Sequence, residues 1–180
     1  MSLTFYSPAK VNLFFKILSK KQDGYHDIFS LNQAISLFDV LYFKKAKKDI
    51  FFCYNNKDLK FDETNLIIKA LNLFRDKTKI KDSVEIYLKK NIPIEAGLGG
   101  GSSNAATTLF ALNELFQKPL TILELIELSK NIGADAPFFF SKGSCFCKNI
   151  GDIFEDFNLN ENLRLNNLRL ENLNFHIAKP

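Results

Sequence analysis

The chain has 180 residues, 46% hydrophobic and 24% charged, with a net charge of +4, enough apolar material for one globular domain or slightly more. The mild positive excess fits a solvated surface, so neither a nucleic acid nor a membrane is an expected partner. No apolar run reaches membrane-span length, and the opening "MSLTFYSPAK" lacks the sections of a signal peptide, which predicts a cytoplasmic protein.

In chain order, residues 1–54 alternate apolar and polar in "VNLFFKIL", "AISLF" and "VLYFKK", punctuated by "KKQDGYHD". This pattern predicts several antiparallel strands. In "TNLIIKALNLFRDKT", Leu66, Ile67, Ala70, Leu71 and Phe74 recur at helical spacing, with Thr64 or Asn65 as cap. "VEIYL" alternates as a strand. After a glycine loop, Ala105, Leu109, Leu112 and Phe116 mark one face of a second helix. "TILELIELSKNIG" predicts a third helix closed by Gly133, "ADAPFFF" a turn held by Pro137, and "SCFCK" a strand. Residues 158–175 hold seven asparagines and a short "NLRL" echo, too short for a solenoid, and read as a solvated connector. "FHIAKP" then reads as a strand.

Three cysteines, Cys53, Cys145 and Cys147, form no even disulfide framework, and "CFC" lacks the spacing of a zinc site. They read as buried thiols in strands. Two distant histidines, His26 and His176, leave little material for a histidine metal site.

The chemistry concentrates in "PIEAGLGGGSSNAA", residues 93–106, which carries four of the eight glycines. Glycines at 97, 99, 100 and 101 permit positive φ and close backbone approach. Consecutive N–H groups can then converge on a phosphate at the positive end of the following helix. Ser102 and Ser103 add hydroxyl donors. Neither the Walker sequence nor the dinucleotide fingerprint is present.

The segment resembles the second motif of the GHMP kinase superfamily. "SPAKVNLFFKI", "DGYHDI", "TNLI", the glycine loop and "GADAPFFF" are similar in order and spacing to one branch of it. That branch phosphorylates the 2-hydroxyl of a cytidine diphosphate-linked methylerythritol on the non-mevalonate route to isoprenoids. The resemblance implies an α+β fold like the amino-terminal domain of these kinases, which is ribosomal protein S5 domain 2-like: a mostly antiparallel sheet with packed helices. That domain would occupy residues 1–157, and 158–180 would be a connector and the first strand of a carboxy-terminal domain. The family's third glycine motif has no counterpart in these residues.

The resemblance also implies roles. Asp135 is the expected general base, with Lys10 beside it orienting the carboxylate and the acceptor hydroxyl. Asn12, two residues on, shares the strand face of Lys10 and is expected to touch the substrate. Tyr25 is expected to stack on the cytosine and His26 to read its edge. Asn65 and Leu66 would contact adenine, and Lys90 would lie near the nucleotide. Gly97, Leu98, Gly99, Gly100, Gly101, Ser102 and Ser103 would surround the phosphates of ATP, accompanied by Mg²⁺. Without the resemblance, Asp135 reads equally as a turn residue and Lys10 as a surface charge. Glu95 and Ala96 depart from the family pattern and place a carboxylate near the phosphate approach. Rival readings are a GHMP kinase for another small alcohol, and a non-catalytic nucleotide- or RNA-binding module, for which Lys44, Lys45, Lys47 and Lys48 offer only a local basic cluster.

Overall fold

The structure, a computed structural model, describes residues 2–21, 24, 26–149 and 153–156. Two long strands dominate the first third: β1 (Ser2–Lys20) and β2 (His26–Ala46) pair antiparallel along most of their length. β3 (Ile50–Cys53) follows, then α1 (Leu66–Thr78), β4 (Ser83–Lys89), α2 (Gly100–Leu115) and α3 (Ile122–Lys130). A 3₁₀ helix (Ala136–Phe140) leads to β5 (Ser144–Asn149) and β6 (Ile153–Asp156).

The described strands form one six-stranded sheet in the order β3-β4-β2-β5-β6, with β1 on β2. The expected alternating runs are therefore fewer and longer strands, and one pair departs from the antiparallel rule. β3 runs parallel to β4, because α1 lies between them in sequence and returns the chain in the same direction. β2 is long enough to hold β4 along residues 40–46 and β5 along residues 28–33.

Alternation then places Leu41 and Phe43 of β2, with Val84, Ile86 and Leu88 of β4, under the helices. α1 meets them with Ile67, Ala70, Leu71 and Phe74, and Asn65 is its cap, accepting from the Ile67 amide at 3.0 Å. Leu66, expected on that face, is only half-buried, and Ile68 is buried instead. α2 is covered nearly all round, which is why small residues (Ala105, Ala106, Ala111) alternate with Leu109 and Leu112.

α3 carries a capping box between Thr121 and Glu124 and ends at Asn131. The end expected at Gly133 comes two residues early. Pro137 sits in the first turn of the 3₁₀ helix, so the expected turn is a short helix. All three cysteines are buried in strands, as read. Among the basic cluster, Lys44 pairs with Glu85 at 2.8 Å and Lys45 lies over the Phe116 ring. No described helix is long and apolar enough to cross a membrane. The readings on residues 158–180 lie outside the described residues.

Candidate phosphoryl-transfer site

The glycine loop joins β4 to α2. Gly97 and Gly99 adopt φ of +71° and +67°, conformations that cost a residue with a side chain about 1–2 kcal/mol. Gly99 is the N-cap of α2 and offers no side-chain acceptor, so the first amides of the helix are free to face a ligand. Glu95 also has positive φ, at +56°, without glycine's freedom, and its side chain is exposed.

A cavity of about 710 Å³ opens between this loop and the segment leading into α1. Asn65 and Leu66 form one wall, and the chain from Pro93 to Ser102 forms the other. A Cβ on Gly101 would lie 3.2 Å from Leu66 Cδ1, so the starts of α1 and α2 approach one another at the cavity. Asn65 does double duty here: its Oδ1 caps α1 and its Nδ2 donates to the Lys60 carbonyl at 2.7 Å.

The loop touches β1 directly. The Lys10 amide donates to the Leu98 carbonyl at 2.9 Å, and a Cβ on Gly99 would stand 3.1 Å from Lys10 Cγ. Two residues before Lys10, the β1–β2 register shifts between Pro8 and Ala9, the kind of irregularity that re-aims side chains. The Lys10 side chain is only 7% exposed, and its ammonium lies 3.5 Å from Asp135 Oδ1. Asp135 precedes the 3₁₀ helix, makes no side-chain capping bond and keeps 46% of its side chain exposed. Its carboxylate is therefore spent on no turn.

Lys10 Nζ donates to Asn12 Oδ1 at 2.8 Å, and Asn12 Nδ2 donates to Ser30 Oγ and Asn32 Oδ1, each at 2.8 Å. Asn12 and Asn32 are cross-strand partners. Ser30 and Asn32 are buried, so the group is braced from the interior. Behind it, Asn32 Nδ2 donates to Cys147 Sγ at 3.0 Å. Its hydrogen bond with Cys145, then burial, push the Cys147 thiol far up, which leaves it inert.

Several expected residues sit apart from this cluster. His26 is exposed at the start of β2, opposite Lys20. It lies six residues along the strand from Asn32, about 20 Å. Tyr25 is outside the described residues. Ser103 corrects the expectation of two phosphate-facing serines: it is fully buried and its hydroxyl accepts from Ser7 at 2.7 Å. Successive helical residues point about 100° apart, so only Ser102 faces the cavity. Lys90 lines the cavity, yet its ammonium is held by Asp39 at 2.6 Å and by the Ile92 carbonyl at 2.7 Å. Asp39 was not anticipated from sequence, since one acidic residue within an alternating run carries no pattern. Lys60, which also lines the cavity, had no signal either. No group of three or more metal-ligating side chains occurs among the described residues.

Residues 65–143 match the family described as GHMP kinases N terminal domain. The chain is 48% identical over 151 residues to the 4-diphosphocytidyl-2-C-methyl-D-erythritol kinase of Protochlamydia amoebophila, covering 84% of this chain and 52% of that protein. The kinase of the same description from Prochlorococcus marinus (strain MIT 9515) is 47% identical over 84% of the chain and 49% of its own length. The chain thus spans about half the length of these curated relatives. A crystal structure of 4-(cytidine 5'-diphospho)-2C-methyl-D-erythritol kinase superposes with a TM-score of 0.76 at 31% identity, covering 87% of this chain and 56% of that one. Methanococcus jannaschii mevalonate kinase, at 19% identity over 93% of this chain and 59% of its own, shares the fold with a TM-score of 0.70.

Proposed function

Since the chain carries the N-terminal domain of the GHMP kinases, we propose that it supplies the phosphate-binding and proton-accepting residues of an ATP-dependent kinase. The proposed acceptor is the 2-hydroxyl of 4-diphosphocytidyl-2-C-methyl-D-erythritol, the substrate class that the relatives' names carry. The observation that carries the reading is contact between the two halves of the site. Lys10, whose ammonium lies 3.5 Å from Asp135, packs directly against Gly99 of the phosphate loop.

In this reading ATP lies in the 710 Å³ cavity with adenine toward Asn65 and Leu66 and its phosphates on the amides of Gly97 to Gly101 and on Ser102. The acceptor oxygen attacks the γ-phosphorus, the bond to the bridging oxygen of ADP breaks, and Asp135 takes the hydroxyl proton. Lys10 holds Asp135 in place and offsets negative charge that builds on the transferring group. Its amine is itself oriented by Asn12, so the cation is preorganised.

Mg²⁺ would neutralise phosphate charge. With no carboxylate cluster among the described residues, its ligands here would be phosphate oxygens and water, with the Ser102 hydroxyl as the fitting protein donor. The 20 Å of β2 between Asn32 and His26 suits a long substrate, with the alcohol at Asn12 and the base toward His26.

The test is incubation with Mg-ATP and the cytidine diphosphate substrate, followed by phosphorus NMR of the product. Phosphate appearing on the alcohol, dependent on Asp135, is expected. Transfer to mevalonate or homoserine instead would redirect the reading to another acceptor, and ATP turnover unchanged in Asp135→Asn would reject the assigned base.

A further inference from the structure

Asp39, in β2, is fully buried and fastens together the segments that frame the glycine loop. Its Oδ1 accepts from the amides of Asn91 at 2.6 Å and Ile92 at 2.8 Å, where the chain leaves β4 toward the loop. Its Oδ2 accepts from Lys90 Nζ at 2.6 Å and from Asn104 Nδ2, in α2, at 2.9 Å. One carboxylate therefore ties the entry of the loop to the helix at its exit.

The contacts around it are close. A Cβ on Gly100 would stand 2.9 Å from Ile92 Cγ2 and 3.0 Å from Lys90 Nζ. Because Asn104 commits its amino group to Asp39, its Oδ1 is left buried with no hydrogen-bond partner. A glycine-rich segment loses more conformational freedom on ordering than any other, so a loop of this composition needs an external fastening to hold its amides in one place.

We infer that Asp39 is the positioning residue of the phosphate loop, and that Lys90 serves as its counter-ion rather than as a ligand of the nucleotide. The part concerning loop order stands on geometry alone. The part concerning nucleotide affinity rests on the kinase reading.

The geometry supplies its own rescue. In Asp39→Asn, the new Nδ2 faces the Lys90 ammonium, and a buried cation loses its partner. In the double variant Asp39→Asn with Lys90→Met that cation is gone. Asn104 can then turn its amide so that the orphaned Oδ1 accepts from the new Nδ2, while the amides of Asn91 and Ile92 keep an oxygen acceptor.

The experiment measures two quantities on wild type, Lys90→Met, Asp39→Asn and the double variant. One is amide hydrogen exchange over residues 93–101, and the other is Mg-ATP affinity by calorimetry. Asp39→Asn is expected to speed loop exchange and weaken Mg-ATP tenfold or more, and the double variant to return both to within threefold of wild type. Should Asp39→Asn fail to fold, the double variant still decides through its own loop exchange and affinity. Loop exchange unchanged in a folded Asp39→Asn overturns the positioning role. Protected loop amides in the double variant with Mg-ATP still tenfold weak, as in Lys90→Met, would make Lys90 a phosphate ligand and overturn the counter-ion role. A wild-type chain that binds no Mg-ATP counts against the kinase reading, and loop exchange then decides on Asp39 by itself.

Discussion

Replacing Lys10 by Met removes the cation from the Lys10–Asp135 pair while keeping a long apolar stem in its buried slot. At the observed 3.5 Å, two unit charges attract by about 5 kcal/mol at an effective dielectric of about 20 and by about 1 kcal/mol in bulk water. Asp135 keeps 46% of its side chain exposed, which places the lost interaction between these limits, near 2–3 kcal/mol. If that interaction acts on the transferring group, kcat falls by about 10². The fold should suffer less. Asn12 Oδ1 loses its donor, but Asn12 is solvent-accessible, and the lost attraction to Asp135 is offset by no longer burying an ammonium, so the cost is about 1 kcal/mol and Tm drops by about 2–4 °C. Nucleotide KM should stay within about threefold, because the cavity walls are formed by other residues. The assay is steady-state ADP release at saturating alcohol, with thermal unfolding as control. A folded variant retaining kcat within about threefold of wild type would refute the role of the pair.

Three further outcomes follow from the same geometry. Gly99→Ala places a methyl 3.1 Å from Lys10 Cγ and Phe139 Cζ on backbone at φ +67°. It should cost about 1–2 kcal/mol of strain and lower kcat by displacing Lys10, and steady-state kinetics with unchanged kcat would show that the loop is not seated on the lysine. Glu95→Gly relieves a side-chain-bearing residue at φ +56° and removes a negative charge from the cavity wall. Stability should change by less than about 1 kcal/mol, as strain relief and glycine's entropy offset, while titration should find Mg-ATP bound about threefold tighter at low salt and less so at high salt; weaker binding would contradict the reading. Asp49 accepts a fork from Arg75 at 2.8 and 2.9 Å and the Val84 amide at 2.8 Å. The Arg75 bond foremost holds its carboxyl below the ordinary value of 3.8. The folded value lies under the unfolded one, so the pair stabilises above about pH 4 and is lost as pH falls through the lower folded value. Asp49→Asn should cost about 1 kcal/mol at neutral pH and progressively less in denaturant titrations below about pH 3; a cost that does not shrink there would reject the linkage.

Local patterning carried much of this protein. Asn65 ahead of a helical run predicts its own cap, because a side-chain oxygen at that position meets an unpaired amide whatever surrounds it. The four loop glycines permit positive φ through their missing Cβ; Gly97 and Gly99 adopt it, while Gly100 and Gly101 open α2. The spacing of Lys10 and Asn12 predicts a shared face, which the 2.8 Å bond between them bears out. Other features required the chain to be folded. No spacing relates Lys10 to Asp135, 125 positions apart, and only the shifted β1 register and the short helix before β5 bring them together. Whether Ser102 or Ser103 faces the cavity depended on which side of α2 lies against Ser7. Asp39 resembled any lone acidic residue within an alternating strand until residues 90–92 and Asn104 of α2 converged on its carboxylate. Short-range sterics and unpaired backbone groups are properties of a few neighbouring residues and can be read in order along the chain. The partners of a buried charge are chosen by packing, and packing exists only once distant segments meet.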